Sequence, residues 1–361
     1  MTFPRTLILG FSLLALVLGS ATLDAATKKK PGHAAQESTL ADNYKGAIVM
    51  DAATGAVLFE KNSEEVSPPA SMTKLMTFAV LHDHIASGQF SLTTPVSATA
   101  EDTRMGGTQV WLKENETFPA EELIYAMMIQ SANDAAHALA RASAGSIDAF
   151  VAEMNKKARE LGMTHTTFRT PHGLPPSNRS IAESDLTCPR DFALLARHLL
   201  THTDILKYTI RQRSFGAPVR VQLVDMINHN KLLGKVNGVD GLKTGFTNGA
   251  MFCITTTALR NGRRVIVVVM GSPASKERDQ KVIELLEAGF AKIPVGSAPF
   301  VAQYSPQAAA TNPSSPFATA PLSPTEKDST GTSAGAKDST DSGEAPMIRL
   351  KVPPAATKKA H

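Results

Sequence analysis

The sequence predicts an α+β domain, in which helices pack around an antiparallel sheet, and three observations carry that prediction. Apolar runs of strand composition come in pairs toward both ends of the central segment, and stretches of helical period fill the interval between them. The second strand pair is joined by Asn261-Gly262, a dipeptide favoured in two-residue hairpins. The resulting order is strand–strand, helices, strand–strand, helix, a mixed domain with antiparallel pairing.

Taken in order, Ala47-Ile48-Val49-Met50 and Val57-Leu58-Phe59 are apolar runs flanking Asp51-Ala52-Ala53-Thr54-Gly55, a turn signal. After Pro68-Pro69, the residues Leu75, Met76, Ala79, Val80 and Ile85 share one helical face, and Gly88 supplies the C-cap. Helices are also expected over 121–129, 133–143, 147–161 and 191–200, the first three rich in Ala, Leu and Met. The character changes beyond residue 240. Phe252-Cys253-Ile254-Thr255-Thr256-Thr257 and Arg264-Val265-Ile266-Val267-Val268-Val269-Met270 are β-branched runs. A last helix is expected over 276–291, and no internal repeat is present.

The ends read differently. Arg5, an apolar run over 7–18 and small residues through Ala26 form the pattern of a secretory signal peptide, assigned to 1–26. The run is shorter than the roughly 20 residues needed to span a bilayer, so export is expected. Residues 27–43 are a polar linker, 44–295 the folded domain, and 296–361 a Pro/Ser/Thr/Ala-rich tail expected to be disordered. The net charge is +4, and outside Lys28-Lys29-Lys30 the basic residues are scattered, which argues against a nucleic-acid partner. Two cysteines exclude a disulfide scaffold, and there is no C-x-x-C. In an oxidising compartment Cys188 and Cys253 either pair or remain as buried thiols, and the sequence does not choose. His198 and His202 lack an H-E-x-x-H context, so no metal is expected. No G-x-S-x-G elbow and no phosphate-cradling glycine loop occur, and no cofactor is expected.

Three short motifs occur once each: Ser71-Met72-Thr73-Lys74, Ser131-Ala132-Asn133 and Lys243-Thr244-Gly245. The first two are ordinary at this composition, whereas the third is expected only about 0.13 times by chance. Ser71 falls at the expected helix start, where free N–H groups and the dipole favour a developing anion. Lys74, three residues on, reaches the same face. Serine is a weak nucleophile until a base takes its proton, and lysine is a base only when burial and a neighbouring cation lower its pKa. Lys243 is the candidate cation. Read alone, Ser71 is also a plain N-cap and Lys74 a solvated helix residue. Ser131 and Asn133 fall at a junction of helices, where a hydroxyl and an amide face a cleft. Lys243-Thr244-Gly245 opens an expected strand whose edge suits an extended peptide, with Gly245 letting a substrate backbone lie close.

These motifs are the set shared by class A β-lactamases and penicillin-binding proteins. Further stretches extend the likeness: Asp51-Ala52-Ala53-Thr54-Gly55, Pro69-Ala70-Ser71-Met72-Thr73-Lys74-Leu75-Met76-Thr77, Ile129-Gln130-Ser131-Ala132-Asn133-Asp134-Ala135-Ala136, His172-Gly173-Leu174 and Asp240-Gly241-Leu242-Lys243-Thr244-Gly245. Over about 44–292 the chain resembles the low-molecular-mass penicillin-binding proteins that are D-alanyl-D-alanine carboxypeptidases.

The resemblance implies a β-lactamase/transpeptidase-like fold: a five-stranded antiparallel sheet, flanking helices and a helical subdomain. It implies Ser71 as the acylated nucleophile and Lys74 as its base. Ser131 relays a proton, and Asn133 contacts the substrate amide. Lys243, Thr244 and Gly245 bind the carboxylate end of the substrate, and the backbone N–H groups of Ser71 and Phe246 form the oxyanion hole. Arg278, at the spacing of a carboxylate-binding arginine, completes the set. Peptidoglycan stem peptides are the implied substrates, β-lactams the implied inhibitors, and the periplasm the implied compartment. The second all-β domain and amphipathic C-terminal helix of many members are not read here, so membrane attachment stays open. Pro175 replaces a common acidic residue after His-Gly-Leu, and His172 and Asp191 are expected to be structural. A β-lactamase is disfavoured because 168–178 contain no Glu. A DD-endopeptidase uses the same residues, and an inactive peptidoglycan-binding scaffold would have lost a motif member.

Overall fold

The computed structural model describes residues 43–304, apart from Val295. The expected signal segment 1–26, all but the last residue of the linker, and 305–361 of the expected tail lie outside the described residues.

The chain opens with the hairpin β1 (Gly46–Asp51) and β2 (Val57–Lys61), then forms helix α1 (Lys74–Ala86). A short ribbon, β3 (Pro95–Ser97) and β4 (Thr117–Pro119), leads into α2 (Ala120–Tyr125), α3 (Asn133–Ala144) and α4 (Ile147–Glu160). Helix α5 (Pro189–His202) precedes a second ribbon, β5 (Gln212–Phe215) and β6 (Val224–Ile227). Strands β7 (Val239–Thr247), β8 (Met251–Arg260) and β9 (Arg263–Ser272) and helix α6 (Ser275–Lys292) follow.

The main sheet has the order β2-β1-β9-β8-β7, with every neighbour antiparallel. It is the five-stranded antiparallel sheet that the resemblance implies. The N-terminal hairpin therefore pairs with the C-terminal strand, and the helical segments lie between them in sequence. Period-two alternation along β9 separates two cores. Val265, Val267 and Val269 meet Ala47 and Val49 of β1 and Val282 and Leu286 of α6. Ile266, Val268 and Met270 join Ile48, Leu75, Met76 and Phe192 beneath α1 and α5. Each such side chain, fully buried, contributes about 1.5–3 kcal/mol. The Asn261-Gly262 turn holds both residues at positive φ, 49° and 74°, as the tight hairpin requires.

Three expectations change. The helix expected over 121–129 stops at Tyr125 and widens into a π-helical turn over Ala126–Gln130, which delivers Ser131 in a left-handed conformation. The two ribbons went unread because strands of three and four residues show too little periodicity. Finally, the folded body continues past residue 295. The Phe300 N–H donates to the Gly262 carbonyl (2.7 Å), the Arg264 guanidinium lies 5.3 Å from the Phe300 ring, and the Gln303 N–H donates to the Thr201 carbonyl (2.7 Å). Tyr304 sets its ring edge-on to His82 at 5.2 Å. The compositional shift toward proline and serine begins before packing ends. Cys188 and Cys253 are free and buried. Burial raises their thiols to about 12 and about 11.

Candidate active site

Ser71 stands on a 3-10 turn, Ala70–Thr73, immediately before α1, so Lys74 rather than Ser71 is the first residue of the helix. The turn is enclosed by two glycines from distant segments. A Cβ on Gly173 (φ +84°) would fall 2.0 Å from the Ala70 carbonyl oxygen. One on Gly245 would meet the Pro69 oxygen at 2.5 Å and the Ser71 nitrogen at 3.1 Å. What lies against the missing Cβ of Gly245 is the backbone carrying Ser71, which brings β7 alongside that serine, and Gly245 also lines the cleft. Lys243-Thr244-Gly245 lies in the middle of β7, the edge strand, rather than at its start.

Lys74 is wholly buried, and its Nζ has three neighbours: Asn133 Oδ1 at 2.7 Å, the His172 carbonyl at 2.8 Å and Ser71 Oγ at 3.2 Å. The first two can only accept. The Asn133 orientation is fixed because its Nδ2 donates to the Gly106 carbonyl at 2.7 Å. A neutral lysine has two N–H groups and one lone pair. With both N–H groups taken by Asn133 and His172, the lone pair faces the Ser71 hydroxyl. Burial holds the Lys74 pKa well below its ordinary value, Lys243 lowers it further, and Asp185 and Asp134 oppose the shift. The same three contacts serve an ammonium as three acceptors, so it is the lowered pKa that favours the neutral form.

Ser131 has φ +64° and ψ +31°, a left-handed conformation that a non-glycine residue holds only under constraint. Its hydroxyl is buried and has no hydrogen-bond partner among the described residues. Next to it, Asp134 accepts N–H bonds from Val110 and Leu112, and the Asn133 N–H donates to Thr108 (2.8 Å). These contacts fasten the segment carrying Thr108 to the start of α3.

Lys243 is buried, and its Nζ donates to the Thr244 carbonyl at 3.1 Å. Burial, and then the Arg278 charge, lower its pKa to about 7. Arg278 occupies the first turn of α6, where Nη1 donates to the Cys253 carbonyl (3.3 Å) and Nε and Nη2 to Asp279 Oδ1 (3.0 and 2.6 Å). A cleft of about 340 Å³, a size suited to a small ligand, is lined by Ser71, Ser131, Thr244, Phe246 and Arg278 among others. The sequence-predicted residues thus converge: those five line the cleft with Gly245, and Lys74, Asn133 and Lys243 lie beneath it. The Asn133 amide uses one lone pair on Lys74 and one N–H on Gly106, which leaves one donor and one acceptor for the expected substrate contact.

Other residues of the site were not read from the sequence. Asp185 accepts from the hydroxyls of Thr73 and Thr170 (2.9 Å each) and from the Arg169 and Thr170 N–H groups (2.6 and 2.9 Å). It clamps the loop bearing His172 onto the turn bearing Ser71. His172 contributes through its carbonyl, while burial and Lys74 lower its ring pKa to about 3. His229 and Lys231 also line the cleft. The His198 and His202 rings lie 5.0 Å apart on α5. Elsewhere, potential ligand atoms of His165, Cys188 and Asp191 lie within 4.8 Å of one another. Asp191 there accepts from the His165 N–H and the Thr166 hydroxyl, which closes the turn before α5.

A protein-family model described as D-alanyl-D-alanine carboxypeptidase matches residues 33–274. A Bacillus subtilis protein, D-alanyl-D-alanine carboxypeptidase DacF, is 34% identical over 287 residues, covering 80% of this chain and 70% of its own length. The Escherichia coli carboxypeptidase DacC is 36% identical over 251 residues, covering 67% of this chain and 60% of its own. Among solved structures, the Francisella tularensis carboxypeptidase DacD superposes with a TM-score of 0.64 at 27% identity, over 68% of this chain and 70% of that one. Penicillin-binding protein D2 of Listeria monocytogenes, in its ampicillin-bound form, gives 0.61 at 31% identity, over 69% of this chain and 97% of that one. The match thus spans 60–70% of the length of these two curated relatives.

Proposed function

The chain belongs to the D-alanyl-D-alanine carboxypeptidase family of serine peptidases, and from that premise we propose how its own residues divide the reaction. The substrate is a peptidoglycan stem peptide ending in D-Ala-D-Ala. Arg278 and Thr244 hold its terminal carboxylate. Ser71 Oγ attacks the penultimate carbonyl carbon while its proton passes to Lys74 Nζ. The resulting oxyanion is received by the backbone N–H groups of Ser71 and Phe246, a pair whose single donors are typically worth about 3 kcal/mol of barrier. The proton then moves through the Ser131 hydroxyl to the departing amine, D-Ala leaves, and water hydrolyses the Ser71 ester. Asn133 and the His172 carbonyl keep the Lys74 lone pair aimed at Ser71. β-Lactams, which also present a carboxylate beside a reactive carbonyl, acylate the same serine.

The observation that carries this reading is the placement of Lys74: wholly buried, its Nζ lies 3.2 Å from Ser71 Oγ and is held there by Asn133 Oδ1 and the His172 carbonyl at 2.7 and 2.8 Å. The domain over 44–295 is the catalytic unit, and the segment 1–26 directs it to the periplasm. Among the described residues no helix is long and apolar enough to cross a membrane. The test is direct. The full chain is incubated with a pentapeptide ending in D-Ala-D-Ala and free D-Ala is quantified, and labelled penicillin is mapped by mass spectrometry. D-Ala release and an adduct on Ser71, both lost in Ser71→Ala, are expected. An adduct on another residue overturns the assignment.

A further inference from the structure

The carboxylate end of the cleft carries an aromatic feature that the reaction steps above leave unused. Thr244 and Phe246 are two residues apart on β7 and share a face of the strand. Phe252 stands directly opposite Phe246 in the β7/β8 register. Their rings stack with centroids 4.3 Å apart and planes 29° apart, and both line the cleft. Phe246 is 52% exposed, in a strand whose other side chains are buried or half-buried. A pre-stacked aromatic pair left open beside a polar cleft is a binding surface in form.

Its position relative to Arg278 gives it a task. The guanidinium touches the Cys253 carbonyl, one residue from Phe252 and opposite Gly245, the neighbour of Phe246. Three of its five N–H groups serve Cys253 and Asp279, which leaves two for a carboxylate. A leaving amino acid held there has its carboxylate and its amine both fixed. Only the substituent on its α-carbon remains to be read, and the two rings are the apolar surface within reach.

We propose that Phe246 and Phe252 form the subsite for the side chain of the leaving D-amino acid and restrict it to small apolar groups. The proposal rests on the reading above, in which Arg278 holds the carboxylate. A methyl packs flat on the rings. A long or charged chain, including one continuing into a cross-linked strand, must route past them.

The experiment uses the full chain and three peptides identical except for a terminal D-Ala, D-Leu or D-Lys. Release of the last residue is compared as kcat/KM, with labelled-penicillin acylation as the check on an intact Ser71. Wild type should favour D-Ala over D-Lys by tenfold or more. Phe246→Ala keeps the backbone N–H and should compress the D-Ala/D-Lys ratio by about tenfold, whatever its effect on the absolute rate of D-Ala release. Phe252→Ala should act in the same direction, and Phe246→Tyr should keep the wild-type ratio. Wild type releasing no D-Ala overturns the parent reading and this one with it. Normal D-Ala release with ratios unchanged in Phe246→Ala and Phe252→Ala overturns this proposal alone.

Discussion

Strand β9 crosses the centre of the sheet and buries only apolar side chains from Val265 to Met270, whereas β7, at the edge of the same sheet, buries Lys243 and Thr244 and exposes Phe246. Both strands are antiparallel and of similar length, so backbone pairing does not separate them. Their neighbours do. Either face of β9 meets aliphatic helix surfaces, and alternation alone satisfies it. One flank of β7 is pressed by Gly245 onto the backbone of Ser71, and its lysine sits where desolvation weakens the grip on a proton. β9 stabilises the fold, while β7 buries a lysine at a cost in stability, the residue on which the proposed reaction draws.

The sharpest way to break this contrast is at Lys74. Replacing it with Ala removes the base and should lower kcat/KM for D-Ala release by about 10²- to 10⁴-fold. Circular dichroism should still report a folded protein. Unchanged activity would mean that the lone-pair geometry is incidental.

Arg278→Ala should have the next largest effect. Loss of a charge-assisted contact is worth roughly 1.5–3 kcal/mol, or about 10- to 150-fold in efficiency. Penicillin acylation should fall as well. Amidating the terminal carboxylate of the peptide should erase the difference between wild type and variant. A variant at full efficiency on the free-acid peptide would reduce Arg278 to its bond with Asp279.

A paired substitution then sets the two strands against each other by sign. Ile266→Val on β9 removes a buried methylene and should cost about 0.5–1.5 kcal/mol of stability, with D-Ala release within twofold of wild type. Lys243→Met on β7 should do the reverse. The folded-state pKa of Lys243, about 7, lies below the ordinary lysine value, so above pH 7 the unfolded chain binds the extra proton. Wild-type stability therefore rises with pH from about 7 toward 10, by up to about 1.4 kcal/mol per unit for this group, and the variant lacks that increment. Lys243→Met should be more stable than wild type at pH 7, and the gap should close by pH 10. Because Lys243 lowers the Lys74 pKa, the acid limb of kcat/KM should also move to higher pH in the variant. Denaturation midpoints at pH 7 and 9 and a pH–rate profile check both statements, and a less stable variant at pH 7 would refute the first.

The contrast also explains what could be read in advance. The alternation of β9 and the Asn261-Gly262 turn are local, and each appears in the sequence as pattern. Ser71, Lys74, Ser131, Asn133, Lys243 and Arg278 were legible because the chemistry proposed for them belongs to their side chains. His172 was not, because it acts through a carbonyl that every residue possesses. Asp185 was not, because its partners Thr73, Arg169 and Thr170 come from two segments whose meeting no spacing announces. The packing role of Gly245 was hidden for the same reason. Its tolerance for a close approach was evident, but the approaching backbone belongs to Pro69 and Ser71.

The smallest effect tests the end of the folded body. Composition places the boundary at 295, yet Phe300 packs on the core and lies under the Arg264 guanidinium, and Gln303 and Tyr304 both donate N–H bonds to Thr201. Deleting 297–361 removes all of these contacts. A half-buried aromatic is worth on the order of 1 kcal/mol, which in a domain of this size lowers Tm by about 2–4 °C. Deleting 305–361 keeps every one of them and, given the Pro/Ser/Thr composition of that segment, should leave Tm unchanged. Gly262, Arg264, Thr201 and His82 do not line the cleft, so both truncated chains should release D-Ala at rates within twofold of the full chain. Equal melting temperatures for the two truncations would show that the contacts of Phe300 and Tyr304 add nothing measurable. A lower Tm for the shorter chain alone would place the functional end of the domain at Tyr304.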